Sequence, residues 1–127
     1  MYKEIVISIF IIVLIFAGDF ISQKYTKKTV HELTEKLAIL RTNLEKENKD
    51  ESIKMADDIY NRLEQVHNIL AYYIEHDELE KMETNFTVCK SLVNTESYSF
   101  AISELEKTQY VIDHITDKYS FSLENIF

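Results

Sequence analysis

Residues 30–44 read VHELTEKLAILRTNL. Val30, Leu33, Leu37, Leu40 and Leu44 recur at 3-4-3-4 spacing. That is an a/d stripe over two heptads, and Glu35, Lys36, Arg41 and Glu45 fall off it. A helix with one apolar stripe must bury it against other helices, so this segment points to an all-α protein. Two heptads fall short of the three or four that secure a coiled coil. Homodimerisation through Val30–Leu44 therefore stays open beside burial within the chain. The composition agrees with long helices: among 127 residues there is one glycine and no proline, the two residues that turns and breaks rely on most.

Working back from the stripe, residues 22–29 read SQKYTKKT and form a basic collar. Thr29 with Glu32 fits a capping box, yet nothing forces a break, and a continuous helix is the favoured reading. Before the collar, residues 5–17 read IVISIFIIVLIFA, and the apolar run continues past Gly18 and Asp19 to Ile21. A helix from Ile5 to Ile21 covers roughly 26 Å, near the lower limit for a bilayer core of about 30 Å. Tyr2 and Lys3 at one end and Lys24 and Tyr25 at the other are residues that favour the two interfaces. A cleaved signal peptide fits poorly. Cleavage after Gly18 or after Ala17 puts Phe16 or Ile15 at the −3 position, where a small residue is needed. There is no lipobox cysteine. A buried core helix also fits poorly, because so short a chain has too few other apolar faces to cover a helix that is apolar all round. The expectation is an uncleaved single-pass anchor. Asp19 lies about one and a half turns from Lys24 and can reach the headgroups; a polar contact with a partner helix is its other reading.

Beyond the stripe, KENKDES at 46–52 reads as a loop. A second helix over about 52–76 carries Ile53, Ala56, Tyr60, Leu63, Val66 or His67, Leu70 and Ile74, with Asp50 or Ser52 as cap. HDELE at 76–80 marks the next boundary, with Asp77 and Glu80 in a capping-box-like pattern. A third stripe runs Leu79, Met82, Phe86, Cys89, Val93. After Asn94 and Thr95 a fourth takes in Tyr98, Ala101 or Ile102, Leu105, Thr108, Ile112, Ile115 and Tyr119. The closing SFSLENIF alternates loosely and is expected to fold back on the bundle. Short connections between four amphipathic segments predict antiparallel packing. The predicted architecture is an N-terminal transmembrane helix (1–25 with its flanks) followed by an antiparallel three- to four-helix bundle (26–127). No repeat period is evident.

Residues 1–28 hold four lysines against Glu4 and Asp19, a net +2; since the whole chain is −8, residues 29–127 carry −10. So acidic a domain argues against nucleic acid and against lying flat on anionic lipid. The single cysteine excludes an internal disulfide.

No stretch carries a reaction. The four histidines, His31, His67, His76 and His114, have no second His or Cys at i+3 or i+4, so they read as scatter and no cofactor or metal is expected. Carboxylate pairs such as Asp57–Asp58 and Glu75–Glu78 fall on predicted exposed faces. Cys89 lies on an apolar stripe and reads as a core residue. The sequon Asn85-Phe86-Thr87 falls mid-helix. With no nucleophile–base pair to name, the protein is not expected to be an enzyme. The candidate polar turn is His76, Asp77 and Glu78. The candidate partner contacts are Leu70, Tyr72, Tyr73 and Ile74 at the end of the second helix, with Ile126 and Phe127 at the chain's end.

The order of anchor, leucine-striped helix, Ile74-Glu75-His76-Asp77-Glu78-Leu79 and closing Asn125-Ile126-Phe127 resembles the domain-of-unknown-function family numbered 4363, found largely in clostridia and other Firmicutes. The resemblance spans nearly the whole chain. It departs near Leu63, where relatives often have a tryptophan and this chain has none. It implies a membrane-tethered helical domain with no established activity, and a setting beside YetF-like membrane proteins. The lysines after the anchor, taken alone, put the domain in the cytoplasm. The tail before the anchor is only four residues, and the resemblance implies a signal-anchor arrangement, so an extracytoplasmic domain is the favoured expectation. Function is read as a membrane-tethered interaction module, an accessory subunit of another membrane or envelope protein. A small-ligand-binding sensor ectodomain is the alternative.

Overall fold

Nothing interrupts the first helix. The computed structural model of the chain describes residues 1–72 and 74–126, and for 119–126 the backbone alone. It contains α1 (Tyr2–Glu45), α2 (Lys49–Leu70), α3 (His76–Asn94) and α4 (Tyr98–Ile126), with no strand among the described residues. α1 is 44 residues long, about 66 Å at 1.5 Å per residue. Its first half projects from the bundle as an apolar rod. Its second half is one of four bundle helices.

Each helix packs on two neighbours, in the ring α1–α2–α3–α4–α1. The core consists of the stripes. α1 contributes Leu33, Leu37, Leu40 and Leu44; α3 contributes Leu79, Met82, Phe86, Cys89 and Val93; α4 contributes Ala101, Leu105, Thr108, Ile112 and Ile115, all nearly free of solvent. A fully buried apolar side chain of this size is worth about 1.5–3 kcal/mol.

Polar seams fix the register. Along α1–α2, Lys36 pairs with Asp58 at 2.9 Å and Arg62 with Glu32 at 3.2 Å. Four residues back on one helix match four forward on the other, an antiparallel seam without slippage. Asp57–Lys90 at 3.4 Å and His67–Glu83 at 2.5 Å join α2 to α3. Glu78–His114 at 3.3 Å joins α3 to α4, and Arg41–Glu106 at 2.8 Å joins α4 to α1. Exposed pairs contribute about 0–1 kcal/mol each, so they set alignment more than stability.

The continuous helix favoured through the collar is what forms: Thr29 is buried inside α1 rather than capping a new helix, and Glu32 reaches Arg62. Several boundaries beyond it differ from the sequence reading. The 46–52 loop shrinks to residues 46–48, because Lys49, Asp50 and Glu51 already form the first turn of α2 behind Asn48. Ser52 is therefore a core residue rather than a cap. The buried stripe of α2 is Ser52, Ala56, Ile59, Leu63, Val66 and Leu70, and Ile53 and Tyr60 flank it half-buried. α2 ends at Leu70, six residues before the expected end. Asp77 sits in the first turn of α3, behind Glu75 at the N-cap, where its charge complements the helix dipole. Thr95 closes α3. The terminal segment does not fold back, since α4 continues helically to Ile126.

The α1–α2 and α3–α4 turns share one geometry. The Asn48 amide donates to the Asn43 carbonyl at 2.9 Å and the Glu47 amide to Leu44 at 3.1 Å; Ser97 donates to Leu92 at 2.9 Å and Glu96 to Val93 at 3.1 Å. These are Schellman closures. Each needs a left-handed residue, and glutamate supplies it both times, at φ 56° for Glu47 and 59° for Glu96. The two glutamates lie 49 positions apart. The same offset carries Leu33, Leu37, Leu40 and Leu44 onto Met82, Phe86, Cys89 and Val93, and Ser52, Ala56 and Ile59 onto Ala101, Leu105 and Thr108.

Glu47→Gly is expected to stabilise the bundle by about 0.5–1 kcal/mol, by removing the β-carbon from a left-handed site. Ser52→Ala is expected to stabilise by about 1 kcal/mol, since the buried Ser52 Oγ meets no hydrogen-bond partner among the described residues. Urea unfolding midpoints of the detergent-solubilised chain measure both.

Candidate functional site

Three features outside the core merit chemical scrutiny: a cleft between α2 and α3, the polar turn between them, and the exposed aromatics.

The cleft has a volume of about 320 Å³ and is lined by Tyr60, Leu63, Glu64, His67, Asn68, Glu83 and Thr87. On α2, Tyr60, Leu63 and His67 are spaced as one helical edge; Glu83 and Thr87 are one turn apart on α3 and face it. His67 Nδ1 meets Glu83 Oε1 across the seam. The Tyr60 hydroxyl hydrogen-bonds the Glu64 carboxylate, which pushes its pKa up because ionising it would set two negative charges together. The Lys90 ammonium lies 4.2 Å from the centre of the Tyr60 ring and reaches Asp57 at 3.4 Å. The Thr87 hydroxyl donates to the Glu83 backbone carbonyl at 2.8 Å. The cleft offers hydrogen bonding and a carboxylate–imidazole pair.

At the turn, Glu78 leaves the predicted exposed cluster and turns inward. Its Oε1 takes His114 at 3.3 Å and lies 3.8 Å from Lys118, both on α4. His76 stays on the surface with Glu80 at 3.5 Å, and Asp77 is exposed. Glu75 accepts a 2.8 Å bond from the Lys118 ammonium, which holds its carboxyl below the ordinary range. The other two histidines also meet glutamates, His31 with Glu35 and His67 with Glu83. Among the described residues no cluster of histidine, cysteine, aspartate and glutamate is arranged to hold a metal ion.

The candidate contact face divides. Leu70 and Ile74 are buried in the bundle and offer nothing to a partner. Tyr72 is 85% exposed. Tyr73 and Phe127 lie outside the described residues, as does the Ile126 side chain. Other exposed apolar residues of the bundle include Phe100 and Tyr110, neither of which the stripe spacing singled out for contact. Cys89 is the core residue its position predicted. Its Sγ donates to the Ala101 carbonyl at 3.3 Å, and burial pushes the thiol up to about 12. Phe86 points into the core. The pairing of His67 with Glu83 carries no sequence signal, because only the α2–α3 register brings residues 16 positions apart together.

The rod stands apart from all of this. From Ile5 to Ile21 every position is exposed, with Ile15 at 64% and Phe16 at 67%. It is one helix long and apolar enough to cross a membrane. Asp19 accepts a 3.3 Å bond from Gln23 within it.

Residues 20–126 match the model of a protein family described as "Domain of unknown function (DUF4363)". No curated protein and no solved structure matches the chain.

The depressed Glu75 carboxyl fixes the sign of one pH effect. A carboxylate whose pKa falls on folding stabilises above its unfolded value, and the gain is lost as pH drops through the folded value. Glu75→Gln is expected to lower the urea midpoint slightly at neutral pH. It should leave it unchanged well below the carboxylate range, which shrinks the acid-side loss seen with the parent chain.

Proposed function

The chain belongs to the DUF4363 family, and on that footing we propose that it is a membrane-tethered, non-enzymatic interaction module. It would serve as an accessory subunit of another membrane or envelope protein, with an extracytoplasmic bundle. The observation that carries this reading is the uncovered apolar rod of α1. Seventeen positions with no protein partner expose far more contiguous apolar surface than a water-soluble monomer tolerates. A core helix would be covered, and this one is bare. Hydrocarbon is the solvent that makes such a helix favourable, with every backbone group bonded internally. The bundle then hangs on the membrane as a rigid acidic body. Its interior is filled by apolar stripes, and its surface presents isolated aromatics of the kind that anchor contacts. A YetF-like membrane protein, implied by the family resemblance, is the partner class to test first.

A sensor ectodomain is the second reading, and the α2–α3 cleft is what favours it. Its polar lining of Tyr60, Glu64, His67 and Glu83 suits a small ligand with both donors and acceptors.

Topology tests the reading first. In full-length Cys89→Ser, Asn48→Cys places a thiol in the α1–α2 turn, the end of the bundle farthest from the rod. Labelling by a membrane-impermeant maleimide in intact cells is expected. Protection until lysis would move the bundle to the cytoplasm, and recovery of the chain in the soluble fraction would remove the membrane altogether.

A further inference from the structure

The antiparallel register fixes which parts of the bundle end beside the rod. On the α1–α2 seam, Lys36 faces Asp58 and Glu32 faces Arg62. Carried eight residues further, to the end of α2, this places Leu70 level with Lys24, with Tyr72 in the turn just beyond and so near Ser22, the first polar residue after the apolar run. On the α4–α1 seam, Arg41 faces Glu106. The α2–α3 turn thus finishes near the end of the apolar run, while α4 passes that turn: Lys118 pairs with Glu75 there, and the helix runs about two turns further to Ile126.

We propose that this end of the bundle makes a second membrane contact. It seats the α2–α3 turn, through Tyr72, in the phospholipid headgroup layer of the bilayer that α1 enters. The inference rests on the membrane reading above. Three observations support it. α1 has no break between Ile21 and Leu33, and Ser22, Gln23, Tyr25 and Thr26 are half-buried, so the bundle is not free to swing off the rod axis. α2 lies one helix spacing from α1, about 8–10 Å. A tilt of about 20° shifts a point at that distance by only about 3 Å, whereas the headgroup layer is several ångströms deep. Tyr72 is 85% exposed, and tyrosine is a side chain that prefers the interface. Lys24, Lys27 and Lys28 are exposed on α1 around the same level and suit lipid phosphates. Of the nearby carboxylates, Glu75 is matched by Lys118, while Asp77 and Glu80 lie exposed and oppose contact with anionic lipid.

The chain has no tryptophan, so single-tryptophan fluorescence reads position cleanly. Full-length Tyr72→Trp, Tyr110→Trp and Phe10→Trp would each be placed in phosphatidylcholine–phosphatidylglycerol nanodiscs. The lipids carry a nitroxide either on the headgroup or deep in the acyl chain. Tyr110 is 74% exposed on α4, level with Leu37 and so far above the turn. The headgroup label is expected to remove roughly half of the Tyr72→Trp emission while sparing Tyr110→Trp, and the deep label to quench Phe10→Trp. Quenching of Phe10→Trp with Tyr72→Trp unaffected overturns the proposal and leaves the anchor standing. Equal headgroup quenching of Tyr72→Trp and Tyr110→Trp means the bundle lies flat, which also overturns it. An unquenched Phe10→Trp removes the membrane reading and the proposal with it.

Discussion

The unbroken backbone of α1 is the constraint on which everything else depends. Two environments meet along one helix, an apolar rod below and a bundle stripe above, and no glycine or proline beyond Gly18 lets the chain bend between them. Thr29 shows how the junction is made. A residue that could have begun a new helix is instead enclosed by the bundle, which holds the collar straight. Kinks need an identifiable cause, such as proline, a π-bulge or an inserted side chain. With no proline and no break in helical assignment, rod and bundle share an axis.

On that axis the bundle is built from two copies of one hairpin geometry. The 49-residue offset carries both left-handed glutamates and the core positions of α1 and α2 onto those of α3 and α4. It carries few identities. Leu37 answers to Phe86, Leu40 to Cys89, Ala56 to Leu105, Ile59 to Thr108. Volume is redistributed between the halves, so what recurs is the heptad phase and the turn, not the residues. This is why no period shows in the letters of the chain. Ser52 is instructive, because its counterpart Ala101 meets the same demand for a small core residue without burying a hydroxyl.

Much of this was legible from spacing. The α3 and α4 stripes and the α1 leucines came directly from 3-4 periodicity, because each has an apolar residue at every core position or a threonine that can hydrogen-bond its own helix, as Thr108 does to the Glu104 carbonyl at 3.0 Å. The α2 stripe was misread by one position at two places, and the reason is physical. At the first, Ile53 is larger and more apolar than Ser52, yet helix phase rather than hydrophobicity decides which of two neighbours points inward; at the second, the same phase places Ile59 inside and Tyr60 at its flank. Leu70 and Ile74 were taken for part of a docking face beside Tyr72 and Tyr73 although both lie on the α2 stripe, and the bundle holds them inside. Nothing along the chain could announce the cleft. His67, Tyr60 and Glu83 come together through inter-helical register alone.

On the proposed membrane reading, charge and rigidity together bear on how such a body would stand on a bilayer. Residues 29–127 carry −10 and residues 1–28 carry +2. Near an anionic surface, the acidic flanks of all four helices are repelled if the bundle lies down, whereas an upright bundle presents only its end. Screening limits this to charges within about 8 Å of the surface at physiological ionic strength, so only the lowest turns would sense the lipid. The lysine collar lies among those turns, and an unbroken α1 would transmit the posture set at its base to the turns above.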